Sequence, residues 1–120
     1  MKLFYKTKHY NYYITTDGTV YRLNKKSLKI REMKCSKADG QYKIIILENG
    51  KKYFYIHRLV YEAFVGDIPQ GMVVDHLDNN SSNNSFTNLQ VLTKGDNTRK
   101  YFVEVYWRDK NDLDSVREDT

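Results

Sequence analysis

The chain is organised around residues 72–97, which read MVVDHLDNNSSNNSFTNLQVLTKGDN. In this stretch an apolar run leads into Asp75 and His76, an asparagine-rich loop follows, and a second apolar run begins after Asn88. Short apolar runs bounded by turn-forming residues are typical of β-strands, and the threonine that follows the second run can cap a helix. The pattern therefore predicts two strands joined by a polar loop, followed by a short helix that carries Asn97.

The spacing of apolar residues changes to a helical period on the N-terminal side of this stretch. The residues that repeat at intervals of three and four are Ile56, Leu59, Val60, Ala63 and Phe64. This period predicts a helix with one apolar face over residues 56–64, ending close to Gly66. Residues 67–71 contain the single proline of the chain and are interpreted as a linker.

Residues 12–56 carry the turn signals of antiparallel strands. Asp17-Gly18 and Asn49-Gly50 each separate two β-rich runs, which is the strongest short-range signal for a β-hairpin. We expect strands at residues 12–16, 19–23, 28–34, 42–47 and 52–56. The N-terminal half is therefore predicted to form an antiparallel meander of four or five short strands.

The composition is that of one compact globular unit. The 120 residues are 40% hydrophobic and include 11 tyrosines but a single cysteine, Cys35. One cysteine excludes an internal disulfide and a cysteine-rich zinc site, and it fits a reducing compartment. The N-terminus lacks the apolar run of a signal peptide, and no segment has the length of a membrane span. We therefore expect a soluble, intracellular protein that does not bind a membrane.

The net charge of +5 is unevenly distributed along the chain. Residues 1–60 carry 14 Lys or Arg against 4 Asp or Glu, whereas residues 61–100 carry 3 against 5 and residues 101–120 carry 3 against 6. A basic half is held to a polyanion by phosphate contacts and counterion release. An alternative is that the lysines only solvate the exposed faces of strands. The acidic centre is where a bound cation would be expected.

The basic residues cluster on the predicted hairpins, which favours double-stranded DNA as the partner. A two-stranded ribbon or the face of a small sheet fits the major groove. The residues expected to contact DNA are Arg22, Lys25, Lys26, Lys29, Arg31, Lys34 and Lys43, with Arg99 and Lys100 after the predicted short helix. Tyrosines of the same strands can donate to phosphates, although cross-strand packing is their more ordinary use.

Three side chains of residues 72–97 supply the groups that metal-assisted phosphodiester hydrolysis needs. The neutral imidazole of His76 can take a proton from water near pH 7. Asp75 and Asn97 offer hard oxygen ligands, which suit Mg²⁺ or Mn²⁺ more than Zn²⁺. Taken singly, each has a simpler interpretation, because such residues are common in caps, turns and helix surfaces. His57, one position from the apolar helix face, is interpreted as a packing or hydrogen-bonding residue.

Together, Asp75-His76, Asn88 and Asn97 resemble the motif of the HNH nuclease family, in the variant with asparagine at the last position. The predicted helix over residues 56–64 is similar to the one that precedes the motif in phage and intron-encoded HNH nicking homing endonucleases. The resemblance implies His76 as general base, Asp75 and Asn97 as metal ligands, and Asn88 as the catalytic-site residue that ties down the loop and orients the histidine. It also implies a bulge or twist at Asp75, because neighbouring strand residues otherwise point to opposite faces.

Two features depart from that family. Tyr101 stands where many relatives carry a further histidine, and the sequence ends in an acidic segment where many homing endonucleases continue into a helix-turn-helix module. We therefore expect one fewer contact to metal or phosphate, and short target recognition. Two alternatives stay open: a DNA-binding protein that keeps the scaffold with little catalysis, and a nuclease that acts on RNA.

These observations predict an α+β protein with an N-terminal antiparallel β-sheet module, a helix and a ββα-metal HNH nuclease core. The expected domains are a basic DNA-binding module at residues 1–55, the nuclease core at 56–107 and a charged tail at 108–120. One site per chain predicts a monomer that nicks one strand, and a double-strand break would need a dimer on DNA. The resemblance further implies a phage or mobile-element protein in the cytoplasm of a bacterial host.

Overall fold

The computed structural model describes residues 1–38 and 41–100, whose strands form three antiparallel sheets. The first sheet keeps the order of the chain, so each strand is hydrogen-bonded to the next. Its strands are β1 (Lys2–Lys6), β2 (Tyr10–Ile14), β3 (Val20–Asn24) and β4 (Ile30–Met33). The turn between β2 and β3 contains Asp17 and Gly18, as the sequence predicted, and Gly18 has the positive φ of 90° that favours glycine.

The second sheet is smaller and lies between the first sheet and the first helix in the sequence. It contains β5 (Ser36–Ala38), β6 (Tyr42–Leu47) and β7 (Lys52–Tyr55), in that order. A 3-10 turn at Glu48–Gly50 joins the last two strands. The predicted hairpin at Asn49-Gly50 is confirmed, with both residues at positive φ.

The third sheet is a hairpin placed between two helices. Helix α1 (Ile56–Phe64) follows β7 directly, and β8 (Met72–His76) pairs with β9 (Leu89–Thr93). A 3-10 turn at Phe86–Asn88 leads into β9, and residues 94–100 are helical and form α2. In the residues that the structure describes, no helix has the length and apolar character needed to cross a membrane.

The α+β architecture is confirmed, but the single meander expected for the N-terminal half is wrong. Within the described residues, seven strands in two sheets precede α1. β1 escaped prediction because an irregularity between Leu3 and Tyr5 breaks its alternating pattern. β5 escaped because it has three residues and little apolar surface to give a signal. The strand expected at residues 101–107 and the tail at 108–120 lie outside the described residues.

One hydrophobic core connects the three sheets through the apolar face of α1. Fully burying an aliphatic side chain contributes roughly 1.5–3 kcal/mol, so these contacts dominate the packing energy. The buried members are Tyr12, Ile14, Val20, Ile45, Leu47, Ile56, Leu59, Val60, Val74 and Leu89. They lie on both sides of the predicted domain boundary at residue 55, and Val74 and Leu89 anchor the third hairpin to the rest.

Candidate active site

The β8–β9 hairpin positions the Asp75-His76 pair on a regular strand. The register runs without interruption from Met72 opposite Thr93 to His76 opposite Leu89. Of the bulge or twist that the family resemblance implied at Asp75, the bulge is therefore wrong. Because neighbouring residues of a regular strand point to opposite faces, the carboxylate and the imidazole enter different environments.

The Asp75 carboxylate faces α2 and binds a cationic group there. Lys100 Nζ lies 2.6 Å from Asp75 Oδ2, and the two side chains are 23% and 12% exposed respectively. Gln90 Nε2 donates to the same carboxylate oxygen at 2.9 Å. Lys100 Nζ also donates to the carbonyl oxygen of His76 at 3.0 Å, so the ammonium bridges the side chain of one residue and the backbone of the next.

Helix α2 brings Asn97 to the same side of the site. The backbone N–H of Asp96 donates to Thr93 Oγ1 at 3.0 Å, which confirms Thr93 as the cap of this helix. Among residues 94–100, Asn97 and Lys100 are half-buried and the others are exposed. Residues three apart share one helix face, and Lys100 reaches Asp75, so the Asn97 face is turned towards β8.

The donor set at this face fits a hard divalent cation. A carboxylate that already holds an ammonium group is a cation site, and the amide oxygen of Asn97 belongs to the ligand class that Mg²⁺ and Mn²⁺ accept. No group of three His, Cys, Asp or Glu side chains suited to a metal occurs within residues 1–38 and 41–100. Amide oxygens, water and substrate oxygens would therefore complete the coordination.

His76 lies on the opposite face of β8 and is 4% exposed. Its Nε2 is 2.8 Å from Asn84 Oδ1, a side chain that is itself 3% exposed. The imidazole packs beside His57 at a centroid separation of 5.2 Å and beside Tyr42 at 6.2 Å. His76 is thus held by one hydrogen bond and two rings.

His57 is buried and stacks on Tyr42 with a centroid separation of 5.1 Å, in agreement with a packing role. Burial, together with smaller electrostatic contributions from His76 and Arg58, lowers the pKa of His57 to about 4. His57 is consequently neutral at neutral pH, and it places no positive charge beside the candidate base.

Asn88 is the centre of a hydrogen-bond network that fixes the loop between β8 and β9. Its Nδ2 donates to Asp78 Oδ1 at 2.8 Å and to the carbonyl oxygen of Asn83 at 2.9 Å. Its Oδ1 accepts from the backbone of Asp78 at 3.2 Å, and its carbonyl accepts from the backbone of Leu77 at 2.8 Å. Hydrogen bonds from the Asn83 side chain, the Asn80 backbone and the Asn88 side chain lower the pKa of Asp78 to about 2.

Residues 54–99 match the sequence profile of the family described as HNH endonuclease. This segment belongs to the HNH endonuclease family. It contains all four residues that the sequence nominated for catalysis and metal binding, namely Asp75, His76, Asn88 and Asn97.

Two curated relatives and one solved structure are also similar to this chain. YosQ, a prophage-derived protein of Bacillus subtilis (strain 168) that is named as an HNH homing endonuclease, is 43% identical over 51 residues, covering 42% of this chain and 30% of the relative. The DNA endonuclease I-HmuI of Bacillus phage SP01 is 38% identical over 86 residues, covering 70% of this chain and 47% of the relative. This chain therefore spans less than half the length of either relative.

The solved structure is that of the HNH homing endonuclease I-HmuI, in work on its DNA binding and cleavage. It superposes with a TM-score of 0.62 at 33% identity, covering 81% of this chain and 53% of that chain. The superposed region is larger than the HNH segment, so the likeness extends into the N-terminal sheets.

The basic residues predicted to contact DNA form separate groups around the HNH segment. Lys25, Lys26 and Lys29 are exposed in the turn between β3 and β4. Three others lie on or beside the same strands: Arg31 and Lys34 are exposed, and the Arg22 guanidinium lies 4.2 Å from the centre of the Tyr10 ring.

Three further residues were predicted to contact DNA. Lys43 is half-buried on β6. Arg99 Nη1 lies 3.5 Å from the Asp96 carboxylate in an exposed pair, and Lys100 is the partner of Asp75 rather than a free surface cation. DNA contact by these residues stays a prediction.

Two side chains of the HNH site were missed by the sequence interpretation. Gln90 lies directly opposite Asp75 in the hairpin, so a register drawn through the two predicted strands would have found it. Asn84 was counted only as part of a polar loop, and nothing in its spacing distinguishes it from the other asparagines there. Its contact with His76 depends on how the loop folds back.

Proposed function

We propose that this chain is a divalent-metal-dependent DNA endonuclease that hydrolyses phosphodiester bonds and nicks one strand of a duplex. The observation that carries the proposal is that neighbouring residues of the β8–β9 hairpin supply a held imidazole, His76, and a cation-binding carboxylate, Asp75, which lies beside the helix face that carries Asn97. The same combination lies inside the segment that matches the HNH endonuclease family.

His76 is the proposed general base. An imidazole that is neutral near pH 7 can accept a proton from a water molecule as that water attacks phosphorus. The new bond joins the water oxygen to phosphorus, the bond from phosphorus to the departing deoxyribose oxygen breaks, and that oxygen takes a proton from solvent. The proton from water resides on His76 and is returned to solvent between turnovers.

Asp75 and Asn97 are the residues that would hold the metal, with Mg²⁺ or Mn²⁺ as the proposed ion. When bound, such an ion offsets negative charge on the phosphate and on the leaving oxygen. Lys100 competes with it for the Asp75 carboxylate, because the ammonium occupies Oδ2 at 2.6 Å. Asn88 acts through the loop: four of its hydrogen bonds keep Asp78, Asn83 and Leu77 in one arrangement next to the base.

Double-stranded DNA is the proposed substrate, and residues 1–55 are proposed as the module that docks it. Residues 1–60 carry 14 Lys or Arg against 4 Asp or Glu, which supports phosphate contacts on this side of the chain. The named activity of I-HmuI, a DNA endonuclease, supports the same polymer. With one HNH segment at residues 54–99, we propose a monomer with one active site, which is why we expect a nick.

The phage and prophage sources of the two relatives support a protein of phage or mobile-element origin. We propose the cytoplasm of a bacterial host as its site of action, because host and phage DNA are found there.

Cleavage of supercoiled plasmid in the presence of Mg²⁺, Mn²⁺ or EDTA tests the proposal, with wild type compared with His76→Ala. We expect open-circle product that depends on metal and disappears in the variant. Early linear product would contradict a monomeric nicking enzyme. If neither metal supports cleavage while the protein binds DNA tightly and salt-sensitively, the endonuclease proposal fails and the DNA-binding scaffold takes its place.

A further inference from the structure

We propose that Asn84 is a positioning residue that sets the tautomer of His76, and that the β2–β3 turn at Gly18 holds Asn84 in place. The catalytic meaning of this inference rests on the proposed endonuclease function. Its structural content, a fixed tautomer and a contact between two parts of the chain, can be tested without any activity.

The tautomer follows from the chemistry of the hydrogen bond. Asn84 Oδ1 is a carbonyl oxygen and can only accept, so His76 Nε2 at 2.8 Å must carry the ring proton. The other ring nitrogen, Nδ1, then keeps its lone pair. Both side chains are almost completely buried, at 4% and 3% exposure, so water does not compete for this bond.

Nδ1 is the nitrogen that can act on water. Across the described residues, Asn11 Oδ1 is the one buried side-chain polar atom without a hydrogen-bond partner. Nδ1 of His76 has no hydrogen-bond partner in the same residues and is not among their buried unpaired atoms, which leaves it as the ring nitrogen available to a water molecule. The Asn84 bond therefore directs the basic nitrogen of the ring towards water.

Asn84 is in turn fixed by the first sheet. Gly18 has φ of 90°, and a Cβ placed on it would lie 2.9 Å from Asn84 Cβ and 2.9 Å from Ile56 Cγ2. Such distances leave no room for a methyl group. The backbone N–H of Phe86 also donates to the carbonyl oxygen of Thr16 at 2.9 Å, which ties the same loop to the same turn.

The turn at residues 15–19 thus touches the residue that holds the base. The first sheet belongs to the module proposed to dock DNA, and this contact joins that module to His76 through a single side chain. A displacement of the turn would therefore reach the imidazole through Asn84.

The tautomer can be measured directly by 15N NMR of the histidine rings, because protonated and unprotonated ring nitrogens have well-separated shifts. The protein has three histidines, so His76 is assigned from the signals lost in a His76→Gln sample. At a pH where the ring is neutral, we expect wild type to show the Nε2-protonated form alone. Asn84→Ala should show a mixture of both tautomers, and the control Asn80→Ala, an exposed asparagine of the same loop, should match wild type. An Nδ1-protonated wild type, or an unchanged Asn84→Ala spectrum, overturns the inference.

The contact between Gly18 and Asn84 is tested by comparing the variants Gly18→Ala and Gly50→Ala. Both glycines have φ near 90°, so alanine is strained equally at each, but nothing lies within 4 Å of the Cβ position at Gly50. We expect Gly18→Ala to slow nicking at saturating DNA by roughly 10- to 100-fold with unchanged DNA affinity, as for other residues that orient a catalytic group. Gly50→Ala should nick at the wild-type rate. Equal nicking rates in the two variants would contradict the proposal that the turn at Gly18 holds Asn84 in place.

Failure of the inference and failure of the proposed function can be told apart. If wild type does not cleave DNA, the spectra of wild type, Asn84→Ala and Asn80→Ala still decide the tautomer. If Gly18→Ala does not fold while Gly50→Ala does, Asn84→Ser tests the same link from the other side. It keeps the loop compact but shortens the acceptor, and a wild-type nicking rate in Asn84→Ser would overturn the inference.

Discussion

The loop between β8 and β9 and the turn between β3 and β4 are both polar, yet their side chains are used in opposite ways. In the loop, Asn84 and Asn88 are buried and bonded to the chain around them. In the turn, Lys26 and Lys29 are exposed, and the ordering contacts come from Asn24, whose side chain accepts from the backbone of the residues that follow. Buried amides fix geometry, whereas exposed lysines supply charge without a fixed geometry.

The comparison predicts that chemistry and affinity are separable, and His76→Ala gives the largest effect. Removing a general base lowers rates by roughly 10²–10⁴-fold, so we expect nicking to fall by about 10³-fold. DNA affinity, measured by fluorescence anisotropy at fixed salt, should not change. A matching loss of affinity would mean that His76 contributes to the DNA interface instead.

The exposed turn should show the reverse behaviour. Lys26→Gln with Lys29→Gln should lower the slope of log affinity against log salt by roughly 2, because each phosphate contact contributes about 0.9 to it. The single-turnover nicking rate at saturating DNA should stay unchanged. Lys51→Gln with Lys52→Gln removes the same charge at another turn and serves as the control. An equal change in slope there would mean that net charge, rather than phosphate contacts at the β3–β4 turn, causes the effect.

Within the loop, Asn88→Ala should cost about 2 kcal/mol of unfolding free energy in urea. The change removes three side-chain hydrogen bonds of a buried amide, and an intramolecular hydrogen bond contributes a net stability of roughly 0.5–1.5 kcal/mol. Thr87→Ala, exposed and one residue away, should change stability by less than about 0.5 kcal/mol. Similar losses in both variants would contradict the central place given to Asn88.

His57 should make the site region sensitive to acid. Its pKa is about 4 in the folded chain and about 6.5 when unfolded, so the unfolded state binds the proton first as pH falls. Stability should therefore decrease as pH falls below about 6.5 and level off below about 4, with a loss on the order of 1 kcal/mol between pH 7 and 5.5. His57→Phe keeps a ring beside Tyr42 and should remove this part of the pH dependence in urea titrations. If the free energy of unfolding changed with pH in the same way in both proteins, His57 would not be the source of the acid sensitivity.

The smallest effect should come from Lys100→Met. Without the ammonium on Asp75, the carboxylate is available to a divalent ion, and we expect affinity for Mn²⁺ in the absence of DNA to rise a few-fold by calorimetry. Lys94→Met, an exposed lysine of the same helix, is the control and should leave Mn²⁺ affinity unaltered. Weaker Mn²⁺ binding in Lys100→Met would mean that this lysine supports the metal site.

Local signals in the sequence were sufficient for the parts of the fold that depend on neighbouring residues. The helical period over residues 56–64 gave α1 with the bounds observed, and Thr93 gave the start of α2. Both are decided by spacing and capping within one or two turns. The Asp75-His76 pair was likewise placed at the end of a strand, where the structure has it.

What the sequence could not provide depends on contacts between distant segments. Asn84 reaches His76 because the loop folds under a turn more than 60 residues earlier, and no local pattern reports that. The bulge inferred at Asp75 failed because it came from the family resemblance, whereas the β8–β9 register is regular. Lys100 was predicted to contact DNA from its charge and its place after the short helix, and its contact with Asp75 is visible only with α2 placed against β8.

The ion pair between Lys100 and Asp75 means that this chain carries its own counter-ion at the place where the metal is proposed to bind. Many small metal sites link assembly of the protein to loading of the ion, so that a chelator unfolds them. Here the carboxylate is paired with an ammonium group of the same chain, so we expect folding not to depend on metal. The melting temperature should therefore be the same with and without EDTA, and the proposed ion would be needed only for cleavage.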